Sequence, residues 1–162
     1  KTNKIIAGIV VVAVLIIGIG YAAIQNITLT IAGTASADAN QANFTVAFSG
    51  TPKVSDEKKV NAAITDDLNA TLNVTGLTAK GDVVTAEYTI QNTSADLSAD
   101  LSATVTNNNT EYFKVTYLFD EENIAKGAAT TITVTVELIK TPITETVSST
   151  VGVQITAVPV QP

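Results

Sequence analysis

The sequence predicts a mostly β protein: one hydrophobic helix over residues 1–25, followed by an immunoglobulin-like or jelly-roll antiparallel β-sandwich over residues 26–162. Three observations carry this reading. Ile5 to Ile24 runs for twenty residues without a charge, between Lys4 and Gln25. From Asn26 onward the apolar residues recur every second position, which places them on one face of a strand. Turn-forming groups then separate these stretches at short spacing, namely Lys80-Gly81-Asp82, Asn107-Asn108-Asn109, Lys126-Gly127 and Thr141-Pro142.

The uncharged run comes first. As a helix rising about 1.5 Å per residue it spans roughly 30 Å, the thickness of a bilayer's hydrocarbon core. It is apolar on every side, so it needs burial all round, in lipid or among copies of itself. Secretory signals carry apolar cores of only about 7–15 residues, which makes this run long for a cleaved peptide. Two processing patterns are nonetheless readable, Tyr21-Ala22-Ala23 and, further on, Ala35-Ser36-Ala37. Lys1 in place of an initiating methionine predicts a removed leader or further residues ahead of it. Isoleucine and valine stiffen the helix, and small residues interrupt the bulk, with Gly18 and Ala22 spaced for close approach of a second helix. Ile5, Gly8, Val12, Gly18 and Ala22 are the expected packing positions.

Strands follow. Ile27, Leu29 and Ile31 alternate with Thr28 and Thr30 in a half-buried strand that ends at Gly33, almost without a linker from the helix. Residues 35–42 are small and polar and read as a loop. Phe44, Val46 and Phe48 share one face of the next strand, which Gly50-Thr51-Pro52 is expected to end. Residues 55–67 fit a solvated hairpin or a short helix equally well. Alternation is clear again at Leu72 and Val74; at Val84, Ala86, Tyr88 and Ile90; and from Leu97 through Val105. It continues at Phe113, Val115, Tyr117 and Phe119, at Ile132, Val134, Val136 and Leu138, and over Val147 and Val151 to Ala157. Ala79-Lys80-Gly81 and Ala125-Lys126-Gly127 each lead into a threonine-rich strand, so one turn is expected twice.

Composition narrows the chemistry. The chain has no histidine, cysteine, arginine, methionine or tryptophan, which removes the imidazole base, the thiolate ligand and the guanidinium clamp. Nine lysines against fifteen acids give a net charge of −6. That argues against nucleic acid, whose phosphates call for clustered cations. Asp66-Asp67 and Asp120-Glu121-Glu122-Asn123 could offer oxygens to calcium, but neither has the spacing of a binding loop, and solvated acidic turns fit better. No catalytic residue, metal ligand or cofactor is assigned, and the chain is expected not to be an enzyme. Six asparagines, Asn26, Asn43, Asn69, Asn73, Asn92 and Asn108, stand in Asn-x-Ser/Thr sequons where chance gives about two or three, which makes them glycosylation candidates and points outside the cell.

Two resemblances sharpen the expectation. Gly20-Tyr21-Ala22-Ala23 closing the apolar run, then Ile31-Ala32-Gly33-Thr34-Ala35, resembles the start of the secreted bacterial surface proteins that include TasA and camelysin. Gly76 to Asp82 followed by Tyr88 to Ser94 is similar to that family's turn, strand and turn. The resemblance implies a secreted jelly-roll or immunoglobulin-like domain that, in fibre-forming members, polymerises by donating an N-terminal strand; here the donor residues would be Ile27, Leu29 and Ile31. The chain departs from it in being much smaller than TasA. The helix-plus-β-head plan also resembles archaeal type IV pilin-like filament subunits. Bacterial type IV pilins usually carry glutamate at mature position five, where this sequence has Ile5. Both resemblances imply an extracellular or cell-surface homopolymer that touches the membrane during assembly or as an anchor. The alternatives are a monomeric surface protein held by its N-terminal helix and, less well supported, a secreted hydrolase.

Overall fold

The computed structural model describes residues 43–161. The predicted helix, with Ile5, Gly8, Val12, Gly18 and Ala22, the strand bearing Ile27, Leu29 and Ile31, and the sequon at Asn26 all lie outside the described residues. What is described is mostly antiparallel β. The strands are β1 (Val46–Val54), β2 (Val60–Asp66), β3 (Asn69–Val74), β4 (Val83–Asn92), β5 (Ser98–Asn107), β6 (Phe113–Phe119), β7 (Asn123–Ile124), β8 (Ala129–Leu138) and β9 (Val151–Val160). They form a four-stranded sheet in the order β1-β4-β8-β6, a three-stranded sheet β7-β5-β9 and the hairpin β2-β3.

One core joins the three. β4 and β8 pair without interruption from Val83↔Glu137 to Gln91↔Ala129. Their alternating residues Val84, Ala86, Tyr88, Ile90, Ile132, Val134, Val136 and Leu138 are all buried, while the threonines between them are half-buried on the opposite face. Phe119 of β6 extends that surface beside Ile132, and Ala99 and Leu101 of β5, Ile124 of β7 and Val60 of β2 join it in one cluster. Val/Ile/Thr alternation is what a sheet covered on one face selects.

Three details differ from the sequence reading, at Gly50-Thr51-Pro52, Ile124 and Val147, and a fourth, at residues 55–67, decides between its two alternatives. Gly50-Thr51-Pro52 does not end β1; the register shifts between Ser49 and Lys53, and the strand resumes. Gly50 takes φ +72°, and Pro52 has no amide to donate, so the pair makes an irregularity on an edge strand, a place where both are tolerated. Residues 55–67 resolve as the first half of a hairpin, with Val60↔Val74 and Ile64↔Ala70 paired. Ile124 belongs to a two-residue strand on Ala99 that the acidic run before it conceals, and Val147 lies in the loop ahead of β9. The repeated turn is present. Gly81 and Gly127 both have positive φ, and their amides donate to Leu138 O and Asn92 O at 2.8 Å each, at the entries to β4 and β8.

Candidate functional site: an open slot between two strand edges

The three-stranded sheet and the hairpin lie over the same face of the four-stranded sheet but do not join each other. Among the described residues β9 pairs only with β5 and β3 only with β2, so each has one edge without a described partner. Between these edges runs a groove of about 650 Å³. Its floor is Tyr88, Ile90, Ile132 and Val134 of β4 and β8; one wall is Ala70, Thr71 and Leu72 of β3; the other is Val153, Ile155 and Ala157 of β9. Phe44, Val46 and Phe48 line it as well.

Each wall is built by simple alternation. Ala70, Leu72 and Val74 point inward from β3 while Asn69, Thr71 and Asn73 are exposed outside; Val153, Ile155 and Ala157 point inward from β9 while Gln154, Thr156 and Val158 are exposed. All the inward residues of these walls are only half-buried, although they pack against the core. That is the state of a sheet's inner face where a strand's width of cover is missing. Tyr88 anchors the β3 wall to the floor: its hydroxyl donates to Thr71 O at 2.8 Å, and its ring lies 6.0 Å from that of Phe48. Burial pushes the Tyr88 phenol up to about 12, so it is a neutral donor throughout the ordinary pH range. The hairpin's tip is tied to β1 by Phe48 N donating to Asp67 O at 2.8 Å.

Chemically the slot offers apolar pockets and two strand edges. Among the described residues no group of three or more His, Cys, Asp or Glu side chains could hold a metal ion. Asp66 spends its carboxylate on Leu68 N and the Asn69 amide, which hold it below the usual carboxylate range. Asp120 accepts from the Thr131 hydroxyl. An arrangement of this kind is chemically suited to an extended peptide, with main-chain groups at the edges and apolar pockets on the floor.

The sequons divide. Asn43, Asn69, Asn73 and Asn108 are exposed. Asn73 sits on the outer face of β3, and Asn108 accepts from Thr150 N at 2.8 Å. The Asn69 amide is held against Asp66 at 2.8 and 2.9 Å, so a glycan there would displace that contact. Asn92 corrects the expectation. It is fully buried, its amide donates to Leu97 O and Ile124 O at 2.9 and 3.1 Å, and its carbonyl accepts from Ser94 N at 3.0 Å. In the folded domain it is a structural clamp between the two sheets, closed to modification.

The slot itself is not legible in the sequence, because alternation places its residues on the inward faces of strands and reports which way a residue points, not whether anything covers it. No family model, curated protein or solved structure matches the chain.

Proposed function

We propose that the protein is a non-enzymatic structural subunit of an extracellular filament, pilus-like or biofilm-matrix in kind, with a β-sandwich head that is completed by a strand from outside residues 43–161. The observation that carries this is the slot. In immunoglobulin-like terms β1-β4-β8-β6 stands in the order A-B-E-D and β5-β9 stands as C-F, with β2-β3 inserted between A and B; the edge of β9 that has no partner among the described residues is then the position of the last strand, G. A head lacking that strand exposes an apolar floor and two open edges, a form that associates with other chains.

The chain carries a segment of the right kind. Ile27, Leu29 and Ile31 match the slot's inward pockets, and Thr28 and Thr30 match the threonine, asparagine and glutamine on the outer faces of its walls. Burying three such aliphatic side chains contributes on the order of 5–9 kcal/mol gross, at about 1.5–3 kcal/mol each. The apolar run over residues 5–24 supplies a second mode of assembly, packed helix on helix through Val12 and its neighbours. Strand and helix therefore both favour homopolymerisation at the cell surface.

Negative-stain microscopy of the purified full chain tests this. Filaments are expected from the wild-type protein, and Leu29→Asp, which would carry a charge into the slot, should abolish or shorten them. Val12→Asp should do the same through the helix. Unaltered filaments from Leu29→Asp would refute the strand's role, and dispersed single heads on lipid from the wild type would favour a monomer anchored by its N-terminal helix.

A further inference from the structure

The two walls of the slot run in opposite directions. β3 starts beside Phe48, whose amide donates to Asp67 O and which pairs with Ile90 near the end of β4. β9 finishes at that same end, since Val160 pairs with Ser98, and Leu97 O next to it accepts from the Asn92 amide. A single strand between them is therefore antiparallel to one wall and parallel to the other.

The described chain also begins at the Asn92 end. Thr45 O accepts from Thr93 N at 2.8 Å, Thr45 N donates to Ser94 Oγ at 2.9 Å, and Phe44 lines the slot. Only ten steps of chain separate Gly33 from Asn43, a reach of at most about 35 Å. If residues 26–33 ran away from the Asn92 end, residue 33 would lie at the far end, and the small polar loop would have to retrace the slot, about 30 Å for a ten-residue wall, with every residue extended. If they ran toward it, the loop would close beside Phe44 with slack. A tether of this length holds the segment at an effective concentration on the order of millimolar, above that of a neighbour's segment in dilute solution.

We propose that, before assembly, residues 26–33 of the same chain occupy the slot, antiparallel to β3 and parallel to β9, with Ile27, Leu29 and Ile31 against Tyr88, Ile132 and Val134; the proposal rests on the reading of the slot as a strand acceptor. The apolar run over residues 5–24 then leaves at the Val74 and Gly152 end, opposite Asn43. Assembly is an exchange in which a neighbour's strand displaces the chain's own, so the unassembled head is capped rather than open.

The test uses the full chain, which has no native cysteine, kept dispersed in detergent. Thr28→Cys or Thr30→Cys is combined with Asn69→Cys, Thr71→Cys or Asn73→Cys, oxidised, and mapped by non-reducing electrophoresis and peptide mass. The expected result is a disulfide within one chain, whose β3 partner moves two residues toward the N-terminus when the donor cysteine moves from 28 to 30. Disulfides formed only between chains overturn the intramolecular arrangement and leave the acceptor reading standing. A partner that moves toward the C-terminus overturns the direction. Absence of any crosslink to β3, within or between chains, sinks both readings. Thr30→Pro supplies a readout that does not depend on cysteine geometry: it should expose residues 26–33 to protease at least tenfold faster while the head still unfolds cooperatively. Equal cleavage of wild type and variant overturns the proposal.

Discussion

The two halves of this domain have the same sequence texture and different fates. On the closed side, β7 and β5 cover β8 and the end of β4, and Ile124, Ile132 and Leu138 keep 1 % of their surface while Asn92 keeps none. On the open side, β3 and β9 alternate just as regularly, yet Leu72, Val74, Val153 and Ile155 stay half-buried, and no described strand bridges their edges. Both sides obey the period-two rule; only one obeys the rule that an apolar sheet face must be covered. The difference is what motivates the proposed function: an apolar face covered on one half and left with a slot among the described residues on the other.

The largest effect should come from the closed side. Ile124→Ala removes a side chain that is 1 % exposed from a two-residue strand with little freedom to collapse, and should destabilise the head by about 2–5 kcal/mol in denaturant titration. A loss below about 1 kcal/mol would mean that the closed half is no better packed than the open one. The next effect belongs to the floor of the slot. Because burial lifts the Tyr88 phenol from 10 to about 12, its contribution is fully present below pH 10 and is lost as the pH rises toward 12, where the unfolded chain ionises first. The two-unit interval sets a ceiling of roughly 2–3 kcal/mol, which solvent reaching the hydroxyl reduces. Tyr88→Phe should start lower, having lost the bond to Thr71 O, and should lack that alkaline decline; a variant that declines in parallel with wild type would separate Tyr88 from it.

What the sequence made legible was direction, and what it hid was coverage. The alternating residues Val84 to Ile90 and Ile132 to Leu138 can be placed on an inward face from alternation alone, and each keeps 4 % of its surface or less. Ile124 was lost behind Asp120 to Asn123, because a two-residue strand is too short to show a period. Pro52 reads as a stop in the sequence, whereas an edge strand absorbs it in an irregularity. Asn92 met the sequon rule and is nevertheless sealed between Leu97 and Ile124, since a local motif carries no information on long-range packing. The slot is beyond reach for the same reason: Ala70 and Leu72 lie more than eighty residues before Ile155 and Ala157, and only the sheet order reveals that β3 and β9 line one groove without pairing to each other.

The smallest effect is also the sharpest comparison. Ile155 packs against the core but lines the slot, so in a head whose slot is empty much of its side chain is already in water. Ile155→Ala should then cost only about 1 kcal/mol, well below the cost at Ile124, because the transfer free energy still to be lost scales with the area buried. In a head whose slot is filled, the same truncation leaves a cavity against the incoming strand and should cost about 2 kcal/mol or more. Measuring Ile155→Ala in the wild-type chain and again in the Leu29→Asp background gives the two values by one double-mutant cycle, whose coupling isolates what the strand adds to that wall. Equal costs in both backgrounds would show that residues 26–33 never reach Ile155 and that the open half is closed by some other segment.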